Sequence, residues 1–183
     1  MLIGVVAETD PLETRVAASP ETVKRFITLG AEFAVQHGAG LGAGVSDADY
    51  EGAGARMASA AEVLSEADVL LKVRRPSGME LTQIKRGALV VAMMDPYGHV
   101  PAIEAMAKAG VDAFAMELLP RITRAQVMDV LSSQANLAGY RAVIDAASEY
   151  GRALPMMMTP AGTVPAAKVF IMGVGVAGLQ AIA

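Results

Sequence analysis

Short apolar runs alternate with segments of helical period from the first residues onward. Residues 2–6 read as a buried strand. Ser19 followed by Pro20 predicts a helix start, with serine as the cap and proline at the first helical position, and Gly30 predicts its stop. A second strand is predicted at 32–35, before a glycine-rich loop at 38–44. The pattern then predicts a short helix at 46–52, a strand at 56–58, a helix at 59–66 and a strand at 68–73. The loop 74–78 leads to a helix at 79–86, a strand at 88–93, a helix at 100–109 and a strand at 112–116. Such alternation implies a mostly parallel sheet flanked by crossover helices, so the fold class is α/β.

A long helix is predicted from about Thr123 to Arg152. Met128, Leu131, Ala135, Ala138, Ala142 and Ala146 recur at three- and four-residue spacing and form one apolar stripe. Thr123 with Gln126 fits a capping box, and Asp129 suits a helix N-terminus. The stretch 153–167 is rich in proline and methionine. Residues 168–172 read as a short buried strand that runs into Gly173, Val174, Gly175, Val176, Ala177 and Gly178, with helix-compatible residues after them. In a turn of this kind the first glycine makes the strand-to-helix bend. The second lets the backbone approach a pyrophosphate, and the third lets the helix pack close. A ribose-binding acid expected about 20 residues on is absent, so the chain reads as the truncated start of a Rossmann dinucleotide-binding lobe. The predicted organisation is an α/β lobe over 1–125, an inter-lobe helix over 126–152 and the opening of the second lobe over 153–183.

Composition narrows the classes. The 183 residues are 54% apolar and 19% charged, enough for a sizeable core. A net charge of −4 gives no electrostatic reason to expect nucleic acid. Without cysteine there is neither a disulfide framework nor a thiolate metal site. Asp10, Glu13 and Arg15 interrupt the N-terminus before a secretory signal could form, and no uncharged run suits a membrane helix, so the chain is expected to be soluble.

Three other features compete for chemistry. The loop from His37 to Gly44 is glycine-rich, but Ala43 stands where a third glycine belongs and Asp47 puts acid where phosphate would sit; a structural loop fits better. His37 and His99 are the only histidines, far apart, and no metal site is expected. The segment 116–141 gathers Arg121, Gln126, Asp129 and Ser132 at a junction between lobes, where α/β proteins bind ligands. Spacing alone fits helix capping and ligand binding equally.

The residues 120–141, Thr159 to Pro165 and Gly173 to Gln180 resemble the NAD(H)-binding component, the alpha subunit, of proton-translocating nicotinamide nucleotide transhydrogenases. The resemblance covers the whole chain, including 13–20 and 37–42, and the earlier blocks are shared with the related alanine dehydrogenases. It implies direct hydride transfer from NADH to NADP⁺, with NADP(H) held on a partner component and a membrane-spanning component completing the assembly. It further implies a homodimer, cytoplasmic and peripheral to the inner membrane through those partners. By resemblance Arg121, Gln126, Asp129 and Ser132 belong to a loop over the nicotinamide end, with Val127 and Met128 beside them. The glycine run 173–178 then meets the pyrophosphate. Gln126 and Ser132 offer a donor and an acceptor to a carboxamide; Arg121 could pair with Asp129, hold a phosphate oxygen or steer the dihydronicotinamide.

An alanine dehydrogenase-like enzyme is the nearest alternative. Arg15 and Lys72 resemble that family's substrate-carboxylate ligands, but Met93 occupies the place matching its catalytic histidine, and a thioether is no general acid or base. Arg15 and Lys72 are therefore expected to be structural or salt-bridging. A third reading is a docking module without nucleotide chemistry. In the related enzymes a C-terminal segment packs back onto the first lobe.

Overall fold

The computed structural model describes residues 1–183, which divide into two compact units, Met1–Leu119 and Pro120–Ala183. The first is built on six strands: β1 (Leu2–Val5), β2 (Glu32–Gln36), β3 (Arg56–Ala58), β4 (Val69–Arg74), β5 (Leu89–Met93) and β6 (Asp112–Ala115). Every pairing is parallel, in the order β3-β2-β1-β4-β5-β6. The chain winds from β1 out to β3, returns to β4 beside β1, and winds the other way to β6. The reversal between β1 and β4 is a topological switch point, outside whose carboxyl ends open α/β sheets bind ligands. The alternation in the sequence predicts the parallel sheet but not this strand order.

The crossovers are α1 (Pro20–Thr28), α2 (Asp47–Gly52), α3 (Ala60–Glu66), α4 (Gly78–Leu81) and α5 (Val100–Ala109). Ser19, Ser46, Ser59 and Ser77 cap the first four, each accepting from an N–H of the first turn. Asp49, Glu62 and Glu80 close capping boxes on α2, α3 and α4. Because strand side chains alternate, the sheet buries two clusters. Ile3, Val5, Phe33 and Val35 pack on Val23 of α1 and Tyr50 of α2. Leu70, Val90 and Ala92 pack on Val63 and Leu64 of α3 and on Met106 of α5.

The helix predicted over 79–86 stops at Leu81. The Thr82 hydroxyl donates to the Met79 carbonyl at 2.7 Å, and a side chain that competes for backbone carbonyls ends a short helix readily.

The second unit departs further from the sequence pattern. The single helix predicted from Thr123 is two elements, a 3₁₀ segment at Thr123–Met128 and α6 (Val130–Glu149). Asp129 breaks the run with ψ 85° and caps α6, accepting the Ser132 N–H at 2.9 Å. The Thr123–Gln126 capping box does not form. Within 153–167 the chain makes an antiparallel hairpin of β7 (Met157–Thr159) and β8 (Gly162–Val164), which the proline content did not suggest. Residues 168–172, predicted as a buried strand, lie outside any sheet, and Val169, Phe170 and Met172 are exposed. A strand needs a neighbour to satisfy its backbone, and in this unit β7 and β8 pair only with each other. The unit closes on α7 (Val176–Ile182). No helix is long and apolar enough to cross a membrane.

Candidate functional site

Each glycine of the turn before α7 meets a different demand. Gly173 has φ +100°, a conformation that strains any side chain. A Cβ on Gly178 would run into the Gly173 carbonyl, so only glycine lets the helix fold back onto its own turn. Gly175 differs from both. Its φ is −76°, and a Cβ there would meet nothing, so its α-carbon borders open space. Gly175 also starts α7 without a side-chain cap, so no side chain of its own covers the first N–H groups. One bend, one close contact and one open approach are the three demands of a dinucleotide fingerprint.

Gly173, Gly175, Val176, Ala177 and Gly178 line a cleft of about 540 Å³ together with Arg121 and Ser132. Leu131, Ala135 and Met172 complete the lining; as small or apolar residues they carried no chemical signal in the sequence. The other predicted residues stand outside it. Gln126, Val127 and Met128 lie on the 3₁₀ segment with exposed side chains, and Val174 is exposed on the turn.

Asp129 reaches the cleft through Ser132. The Ser132 hydroxyl donates to Asp129 Oδ2 at 2.6 Å, and the Ser132 N–H donates to Oδ1 at 2.9 Å. Those bonds, the hydroxyl first, hold the Asp129 carboxyl below the usual carboxylate range, and the nearby charge of Arg121 adds to them. The direct Arg121–Asp129 ion pair does not form. With its proton directed at Asp129, the Ser132 oxygen keeps its lone pairs for a donor entering the cleft.

The first unit has a cleft of its own, about 630 Å³, at the carboxyl ends of β1, β4 and β5. It is lined by Glu8, Arg15, Arg74, Arg75, Met93 and Asp95 among others. Its cations are matched by the chain's own carboxylates. Arg15 meets Glu13 through two nitrogens at 2.7 Å each, and this pairing lowers the Glu13 carboxyl to about 2. Arg74 reaches Glu13 at 3.1 Å, and Arg75 reaches Asp95 at 3.5 Å. The Lys72 side chain is fully buried, 2.8 Å from Glu80 and 3.6 Å from Glu8. The salt-bridging role expected of Arg15 and Lys72 is thus what they perform.

Backbone donors at this edge are engaged as well. Glu8 accepts from the Val73 N–H at 2.7 Å, and Glu117 accepts from the N–H groups of Met94 and Asp95. Asp95 has φ +46°, so successive amides there form a concave nest for an anion, and Glu117 fills it. His99 lies off the cleft, with Nδ1 3.0 Å from the Asp95 carbonyl. No group of histidine and acidic side chains is arranged to hold a metal ion.

Residues 4–138 match the model of the alanine dehydrogenase/PNT N-terminal domain, and 142–183 match that of its C-terminal domain. An NAD(P) transhydrogenase subunit alpha polypeptide of Rhodospirillum rubrum is 54% identical over all of this chain and 49% of its own length. The crystal structure of transhydrogenase from Sinorhizobium meliloti superposes with a TM-score of 0.97 at 63% identity, over 100% of this chain and 55% of that one. An L-alanine dehydrogenase structure superposes with a TM-score of 0.84 at 26% identity, over 100% of this chain and 51% of that one. The chain spans about half the length of the curated relatives it matches. By fold and by sequence it belongs to the alanine dehydrogenase/PNT family, with its closer likeness to members named transhydrogenase.

Proposed function

We propose that the chain contributes a portion of the NAD(H) site of a proton-translocating transhydrogenase, in which hydride passes from NADH to NADP⁺ held on a partner component. The observation that carries this reading is the shared cleft of Arg121, Ser132 and the glycine turn. The amides of the turn would receive the pyrophosphate, with Gly175 giving the close approach. Ser132 would accept from a carboxamide NH₂, and Gln126 would reach the same group from the 3₁₀ segment. Arg121 would hold a phosphate oxygen or steer the ring, with Val127 and Met128 flanking it. When bound, the dihydronicotinamide supplies the hydride. The chain's residues align and exclude water, and no acid or base of the protein is needed. A dimer, peripheral to the membrane through NADP(H)-binding and membrane-spanning partners, is the assembly this reading entails.

Asp129 acts by fixing Ser132, so its replacement is expected to disturb alignment more than binding. In the intact protein Asp129→Asn and Gln126→Asn should each slow single-turnover hydride transfer by about tenfold or more while NADH affinity changes by less. Asparagine caps a helix about as well as aspartate, so Asp129→Asn should fold normally. Unchanged single-turnover rates in both variants would remove these residues from the site.

A further inference from the structure

Within the second unit the same face of α6 that presents Ser132 also seats α7. Ser132, Asn136 and Gly139 follow one another at helical spacing, and Gly139 is the one buried residue of α6. A Cβ built on Gly139 would collide with the backbone of Ala177, at its carbonyl oxygen above all. Ala177 is itself a residue of the cleft lining, one position before Gly178. One turn along, Asn136 Nδ2 donates to Gln180 Oε1 at 2.8 Å, which fixes the register of α7 on α6. Helix spacing follows the size of the side chains at the contact, and here that size is zero.

We infer that Gly139, with the Asn136–Gln180 hydrogen bond, sets the width of the cleft between Ser132 and the glycine turn, and is a positioning element for the nucleotide. The ligand in this inference rests on the proposed NAD(H) reading; the spacing does not. Neither Gly139 nor Asn136 nor Gln180 lines the cleft. They act through the placement of Ala177 and the residues around it. Any side chain at 139 moves the start of α7 away from Ser132, and a displacement of the order of 1 Å is enough to misalign a bound cofactor.

These 183 residues hold no cysteine of their own to compete for an introduced label. Tyr140→Cys on α6 and Leu179→Cys on α7 are exposed positions for a nitroxide pair, read by dipolar spectroscopy alongside calorimetric titration of NADH. Gly139→Ala is expected to lengthen the label distance by roughly 1 Å or more and to weaken NADH binding by about tenfold. Asn136→Ala should give a smaller shift in the same direction. The swap of Asn136→Gln with Gln180→Asn keeps the combined reach of the two side chains and should restore both readouts. This pair also serves if Gly139→Ala does not fold. A purely stabilising role would lower the melting temperature and leave the distance in folded molecules unchanged, and that result overturns the inference. NADH binding equal in the unaltered protein and Gly139→Ala also overturns it, while leaving the proposed function standing. No NADH binding by the unaltered protein overturns the proposed function and the ligand inferred here.

Discussion

Asp129 and Glu13 are both carboxylates whose protons are hard to add, for different reasons. Asp129 owes this to a hydroxyl and an amide of its own helix, Glu13 to the arginines that fold the loop after β1. For Glu13 the ordinary value of 4.5 falls to about 2 in the folded protein. A lowered folded value means the unfolded chain binds the proton first as pH drops. The stabilisation is therefore complete above pH 4.5 and is lost as pH falls toward 2. Arg15 and Arg74 are about half exposed, so solvent screening leaves roughly 1–2 kcal/mol of the gain. Urea midpoints of Glu13→Gln and the unaltered protein should differ near neutral pH and converge between pH 4.5 and 2. A difference independent of pH would mean that Glu13 contributes by packing rather than by charge. Glu13 and Arg15 stood close in the sequence, but nothing there showed that they clasp each other. Lys72 was expected to be structural or salt-bridging, but its partners were not legible: Glu8 reaches it because β1 lies beside β4, and Glu80 because α4 follows that strand.

Elements were legible where a cap or a period marked them. Ser19-Pro20, the helix at 100–109 and the parallel strands follow the pattern closely, because local capping and burial agree there. The pattern fails where tertiary partners decide. An alanine-rich stripe continues through 123–152, yet Asp129 prefers to cap rather than continue a helix, so α6 starts at Val130. Residues 168–172 have strand composition without a strand to pair with. The glycine turn was legible as a motif, and the structure separates its members. Gly173→Ala should cost about 1–2 kcal/mol, because it forces a side chain into a positive φ. Gly175→Ala should leave thermal stability nearly unchanged and weaken NADH binding, since its Cβ would fill only the approach to the turn. Equal destabilisation by both, with equal affinities, would make the turn a structural bend alone.

At the scale of the molecule, the chain carries two concave sites of opposite character. The first unit has the strand order and switch point of a ligand-binding sheet, but its own carboxylates occupy the arginines, the buried lysine and the amide nest at that edge. Met93, a thioether, also lines this cleft. The cleft of the second unit is bordered by an uncapped helix start, an arginine outside any ion pair and a serine with free lone pairs. Its hydrogen-bonding capacity is open to a ligand, which is why the proposed function is placed there. The most direct measurement is a calorimetric titration of NADH into the protein, with NADPH as the reference. Saturable NADH binding that weakens with Arg121→Ala is the expected result. No binding of either nucleotide, or NADH binding that Arg121→Ala leaves unchanged, would contradict the proposed site.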